Sequence, residues 1–173
     1  AVDLRSADCI AALRAVIGDA DVVIEASRPR ALAQMGIDAE AMVSGGGPRV
    51  WVSITGYGRT GAGREGVAFG DDAAVAGGLV AWDDEGPCFC ADAIADPASG
   101  LVAAAGVVQA LTVGGRWLLD VAMADVAAHL AGPTLPAPPG TVAAPPRARR
   151  PGRRGPRLGE DTAGVLARLG GRR

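Results

Sequence analysis

Lysine is missing from this chain. All 17 basic residues are arginine, set against 19 acidic residues and a single histidine. That uniformity reflects biased coding composition more than chemistry. The formal net charge of −2 leaves no basic surplus to hold nucleic acid or an anionic membrane. Aromatic residues are scarce, at 3%, so the core must be assembled from small side chains. Cysteine is scarce too: Cys9, Cys88 and Cys90 do not make a disulfide framework. Cys88 and Cys90 are separated by one residue, which is not the usual spacing of metal ligands, and only His129 is there to help them. No metal site is expected, and the thiols read as reduced ones in a cytoplasmic protein. Long apolar runs are also lacking. None reaches ~18 residues without a charge or a helix breaker, which argues against a membrane span. The start lacks the basic-then-apolar pattern of a secretory signal.

What is abundant is alanine and glycine, arranged in alternating helical and extended patterns. At 173 residues the chain is about one domain long and can bury one core. Ser6 can cap a helix running to Ile17, with Ile10, Leu13 and Val16 at helical spacing. The run Val22-Val23-Ile24 within Asp21–Ala26 fits a buried parallel strand. Short helices are predicted over Pro29–Met35 and Ile37–Val43, each stopped by glycine. Val50–Thr55 is a second strand, and 56–66 a glycine-rich loop. An apolar helix is predicted over Gly70–Val80, a turn over Asp83–Pro87, a helix over Pro97–Thr112, a strand over Trp117–Val121 and a helix over Met123–Leu130. This alternation predicts an α/β layer fold, a mostly parallel sheet flanked by helices. From Gly132 to Arg157 proline, alanine, glycine and arginine replace the pattern, with six arginines between Arg147 and Arg157. That stretch reads as a solvated linker. A closing helix follows over Glu160–Leu169, capped by Asp161 or Thr162. The division is thus a domain over 1–131, a linker over 132–157 and a closing segment over 158–173.

One segment carries candidate chemistry. In Ile94-Ala95-Asp96-Pro97-Ala98-Ser99-Gly100 a carboxylate precedes a proline, and the proline precedes a run of small residues. Proline is favoured at the first helical position and aspartate at the cap before it. Asp96 is therefore expected at the mouth of the Pro97–Thr112 helix, where the dipole attracts negative charge. Two readings stand side by side: an ordinary helix cap, or a nucleophile that small neighbours leave open to a ligand.

Five segments resemble the class III CoA-transferases, which include formyl-CoA transferase, carnitine CoA-transferase and α-methylacyl-CoA racemase. They are Asp21–Pro29, Pro48–Gly61, Ile94–Leu101, Arg116–Met123 and Pro156–Thr162, and they come in the family's order. The resemblance implies a partial Rossmann-like large domain and a CoA-transferase with Asp96 as nucleophile. It implies no permanently bound cofactor, a CoA thioester as substrate and a small carboxylic acid as acceptor. It places Glu25, Ala26, Ser27 and Arg28 beside CoA, with Arg28 either on a phosphate or merely solvated. Gly56, Tyr57 and Gly58 are either a tight turn or a ligand contact. The helix after Asp96 and the 56–63 loop are candidate oxyanion donors. No counterpart of the family's N-terminal part or small second domain is present. Family members are interlaced dimers, so a homodimer or a complementary chain is implied, and a non-catalytic or split-enzyme fragment is the alternative. The racemase branch carries a histidine where this chain has Phe69, which disfavours racemisation. Asp71 and Asp72 are the nearest candidates for a second base.

Overall fold

A computed structural model describes residues 1–27, 29–132, 152 and 154–170. The expected linker therefore falls largely outside the described residues. Three strands make the central sheet: β1 (Val22–Glu25), β2 (Val50–Thr55) and β5 (Trp117–Ala122). They lie in the order β1-β2-β5, and both pairings are parallel. The register aligns Val23, Trp51 and Leu118 in one transverse row and Glu25, Ser53 and Asp120 in another. Side chains two residues apart on a strand share a face, so both rows lie on the same side of the sheet.

Helices cover both faces, as a parallel sheet requires. On the Trp51 side sit α1 (Ala7–Asp19), α2 (Pro29–Gln34) and α3 (Ala39–Ser44), whose Ile17, Ala39 and Val43 close over the fully buried Trp51. On the other side α5 (Ala95–Val113) and α6 (Met123–Ala131) bring Ala103, Ala110 and Val126 against Val50, Val52 and Val121. This second core contains no aromatic ring, as the composition requires. The small residues let helices approach closely. A Cβ at Gly77, just after α4 (Gly70–Ala76), would lie 2.5 Å from the Ala124 carbonyl of α6. Helix α7 (Thr162–Gly170) packs on α1.

The structure corrects the sequence reading in four places. Ser6 occupies the cap position of α1, but its side chain makes no capping bond. The helix expected to reach Val80 stops at Ala76, because Gly77 and Gly78 break it and Gly78 takes φ +86°. The residues beyond form an antiparallel hairpin of β3 (Val80–Asp83) and β4 (Gly86–Phe89), in place of a helix end and a loose turn. Lastly, α5 begins at Ala95, two residues before the expected start. Asp96 is therefore inside the first turn, not at the cap. The cap position is Ile94, whose backbone is already helical at φ −58° and ψ −29°. Pro97 is tolerated because first-turn N–H groups lack intrahelical partners anyway.

By length and composition alone, the 19-residue α5 is apolar enough to cross a membrane. Here it lies against β2, β5 and α6. All three cysteines are free thiols, and Cys88 and Cys90 are exposed on the hairpin side.

Candidate active site

Ligands of open parallel sheets gather beyond the carboxyl ends of the strands, because loops there can diverge to either face. In this chain that edge carries a cleft of about 720 Å³. Asp96 enters from the start of α5, Ala26 and Ser27 from the exit of β1, Gly56 from the exit of β2, and Phe69 from the approach to α4. Four of the residues expected from sequence thus meet in one place: Asp96, Ala26, Ser27 and Gly56. Arg28 lies outside the described residues.

Asp96 is exposed to solvent and held by its neighbours' lack of bulk. Gly70, the first residue of α4, stands against its carboxylate. A Cβ at Gly70 would be 2.8 Å from both Cγ and Oδ2 of Asp96, and 2.6 Å from the Ala93 carbonyl. Asp96 N–H donates to that same carbonyl at 3.0 Å. Ala93 has φ +46°, the left-handed region that a residue with a Cβ occupies only at a cost. Its N–H is held by Asp71 Oδ1 at 2.7 Å. Asp71 therefore anchors the turn that carries Asp96.

The remaining expected residues play other parts. Glu25 ends β1 and does not line the cleft. Its Oε2 accepts from Ser27 N at 2.9 Å and Ser27 Oγ at 2.7 Å, and its Oε1 accepts from Ser53 Oγ at 2.5 Å. Arg59 stands 3.8 Å from the same Oε1, and both side chains are largely buried. Glu25 thus shapes the Ser27 turn. Tyr57 also turns away. Its ring fills the space over Gly63 and Gly66, where a Cβ at Gly66 would lie 2.7 Å from Cδ2. Gly58 takes φ +90° and donates its N–H to Thr55 Oγ1 at 2.8 Å, the geometry of a tight turn.

Sequence reasoning missed Arg59 and Asp120. Arg59 N–H donates to Asp120 Oδ2 at 2.9 Å, while its guanidinium faces Glu25 and Ser53. One residue therefore ties the glycine-rich loop to all three strands. Ser53 and Asp120 sit in register with Glu25, and the pairing that aligns them is not written in any local motif. Glu25→Gln is expected to cost about 1 kcal/mol, since one amide cannot accept from both serines and face Arg59. A lower urea midpoint at unchanged slope checks this.

Some of the expected oxyanion donors are engaged within the protein. Asp96 and Ala98 N–H donate to the Ala93 and Ile94 carbonyls, and Pro97 has no N–H. In the loop, the Gly58 and Arg59 amides are taken by Thr55 and Asp120. Among the described residues, no group of three or more His, Cys, Asp or Glu is placed to hold a metal ion. Beside the cleft lies a polar concavity of about 590 Å³, where Arg30, Arg59 and Arg64 are matched by Asp38, Glu40 and Glu65.

A parallel sheet with helices on both faces, and a carboxylate from a helix start in a cleft at its carboxyl edge, define an α/β layer domain with a ligand cleft. The chain belongs to CoA-transferase family III, whose profile matches residues 1–162. Among solved structures it is similar to a CaiB/BaiF family protein from Brucella suis, with 27% identity and a TM-score of 0.68. That match covers 76% of this chain and 36% of the other. It is also similar to Rv3272 from M. tuberculosis in its orthorhombic form, with 29% identity and a TM-score of 0.67. There the match covers 75% of this chain and 38% of the other. The chain thus spans well under half the length of these relatives. Comparison with functionally curated sequences yields no match.

Proposed function

We propose that this chain carries the nucleophile of a CoA-transferase, which moves CoA between an acyl-CoA and a carboxylic acid. The observation that carries this reading is Asp96, solvent-open in the cleft and seated against Gly70. A carboxylate oxygen of Asp96 attacks the thioester carbonyl carbon. The C–S bond breaks, giving an aspartyl–acyl anhydride and CoA thiolate. The thiolate then attacks the aspartyl carbonyl and releases the first acid, leaving an aspartyl-CoA thioester. The incoming carboxylate attacks that thioester, forming a second anhydride and freeing the thiolate. Attack of the thiolate on the new acyl carbonyl yields the product thioester and restores Asp96. Covalent capture splits one hard exchange into easier steps. The test is to incubate the chain with an acyl-CoA and hydroxylamine and to map the hydroxamate by mass spectrometry. Modification at Asp96 supports the reading; modification elsewhere, or none, overturns it.

A second reading, which rests on family membership, is a chain that works with a partner. In that case transfer between free acids requires a complementary CoA-transferase chain or a second copy, while the Asp96 adduct forms in the cleft described here. Adding such a chain and measuring turnover distinguishes the two.

Racemisation is not expected. Exchange at an α-carbon requires titratable groups that reach both of its faces. Phe69 supplies none. Asp71 Oδ1 is bonded to Ala93 N and Asp72 Oδ2 to Phe69 N, at 2.7 and 3.2 Å. His129 is exposed on α6. A single enantiomer of a 2-methylacyl-CoA in heavy water should gain no α-deuterium by NMR above the uncatalysed background. Incorporation that Asp96→Asn abolishes would reveal a second base.

A further inference from the structure

The cleft wall around Asp96 is mostly hydrocarbon. Ala31 comes from α2, Ile54 from β2 and Met123 from α6, while Val67 and Phe69 come from the segment just before α4. Val67 is 59% exposed and Phe69 74%. Neither is needed by the three buried clusters of the fold, since none of them contains either residue. Two large apolar side chains held open beside a reactive carboxylate gain by covering an apolar ligand.

Charge around the cleft points the same way. Arg64 is the one cation lining it among the described residues, and it is exposed and paired with Glu65 at 3.5 Å. Arg59 is committed to Glu25 and Ser53. Among the described residues, a second carboxylate on the acyl group would therefore meet the Asp96 carboxylate with only the exposed, Glu65-paired Arg64 to offset it, and a desolvated unpaired charge is costly. A one-carbon or two-carbon acyl group would leave the apolar wall uncovered.

We infer that the acyl group carried by this site is apolar, uncharged at its far end and at least four carbons long, with Val67 and Phe69 as its outer wall. This rests on the reading of Asp96 as nucleophile and names the substrate class for it. The experiment compares acetyl-, butyryl-, hexanoyl- and succinyl-CoA as donors, following Asp96 hydroxamate formation in the full chain. The expected order is hexanoyl over butyryl over acetyl, with about two- to fourfold gained per methylene buried, and succinyl below butyryl. Phe69→Ala and Val67→Ala should each lower the ratio of hexanoyl to acetyl labelling. A flat series, or succinyl at or above butyryl, overturns the inference while leaving the nucleophile in place. Absence of labelling by all four donors is a different result, and removes the nucleophile reading on which the inference stands. Calorimetry with the inert thioethers S-methyl- and S-hexyl-CoA reads the wall without chemistry. Tighter binding of the hexyl compound supports the inference, and equal binding overturns it.

Discussion

Asp96→Ala should lower acyl transfer by about three orders of magnitude or more, as loss of a covalent nucleophile does. It should leave stability within about 0.5 kcal/mol, because the side chain is exposed and substitutions of that kind rarely cost more. The two measurements together discriminate. A nucleophile gives a large kinetic loss at constant thermal midpoint. A carboxylate that merely supported the start of α5 would give the reverse. The cap position of α5 belongs to Ile94 and not to Asp96, so there is little capping role to lose. Transfer that persists in the variant would assign the chemistry to another residue.

Gly70→Ala should damage both properties. The new methyl would lie 2.6 Å from the Ala93 carbonyl and 2.8 Å from Asp96 Cγ. Alanine is the better helix former, by up to about 1 kcal/mol at an interior position. Crowding against a backbone carbonyl outweighs that gain, because overpacking a fitted site costs about 1–3 kcal/mol. The turn that would have to yield already contains Ala93 in the left-handed region and is tied to Asp71. Displacing Asp96 by about 1 Å is enough to slow its reaction about a hundredfold. A double-mutant cycle with Asp96→Ala separates the two contacts. Relief of part of the stability loss in the double variant would measure the side-chain clash, and additive losses would place the whole cost on Ala93.

The parts of this fold written in local patterns were legible from sequence. Val50–Thr55 became β2, the spacing of Ile10, Leu13 and Ile17 became α1, and Val22-Val23-Ile24 became β1, though as an edge strand with Ile24 exposed and not as a buried one. The hairpin was not legible. Val80-Ala81-Trp82 continues the apolar run of α4, and Pro87 speaks against a strand, yet Pro87 pairs with Trp82 in a two-stranded ribbon whose edges are open. The position of Asp96 was legible as a helix start but not as a place within the first turn, because the preceding Ile94 is itself helical. Glu25 was read as lying beside CoA on the strength of its motif. The structure turns it inward, onto Ser27 and Ser53. Arg59 and Asp120 could not be found in advance, since they meet only after β2 and β5 have paired.

The transverse row Glu25, Ser53 and Asp120 has a further consequence, for how the chain reaches its native register. Side chains alternate between faces, so a slip of one residue in β2 would move Ser53 to the side packed by α5 and α6 and bring Trp51 out of its place among α1 and α3. Glu25 would keep Ser27 but lose Ser53, and Arg59 would lose the alignment that lets its backbone reach Asp120 while its guanidinium reaches Glu25. Aliphatic rows built from valine and leucine discriminate poorly between neighbouring alignments, because each alignment buries similar surface. A row of hydrogen-bonded polar groups at the strand ends accepts one alignment and penalises the others. The same residues that anchor the Ser27 turn and the glycine-rich loop therefore make the sheet's pairing unique.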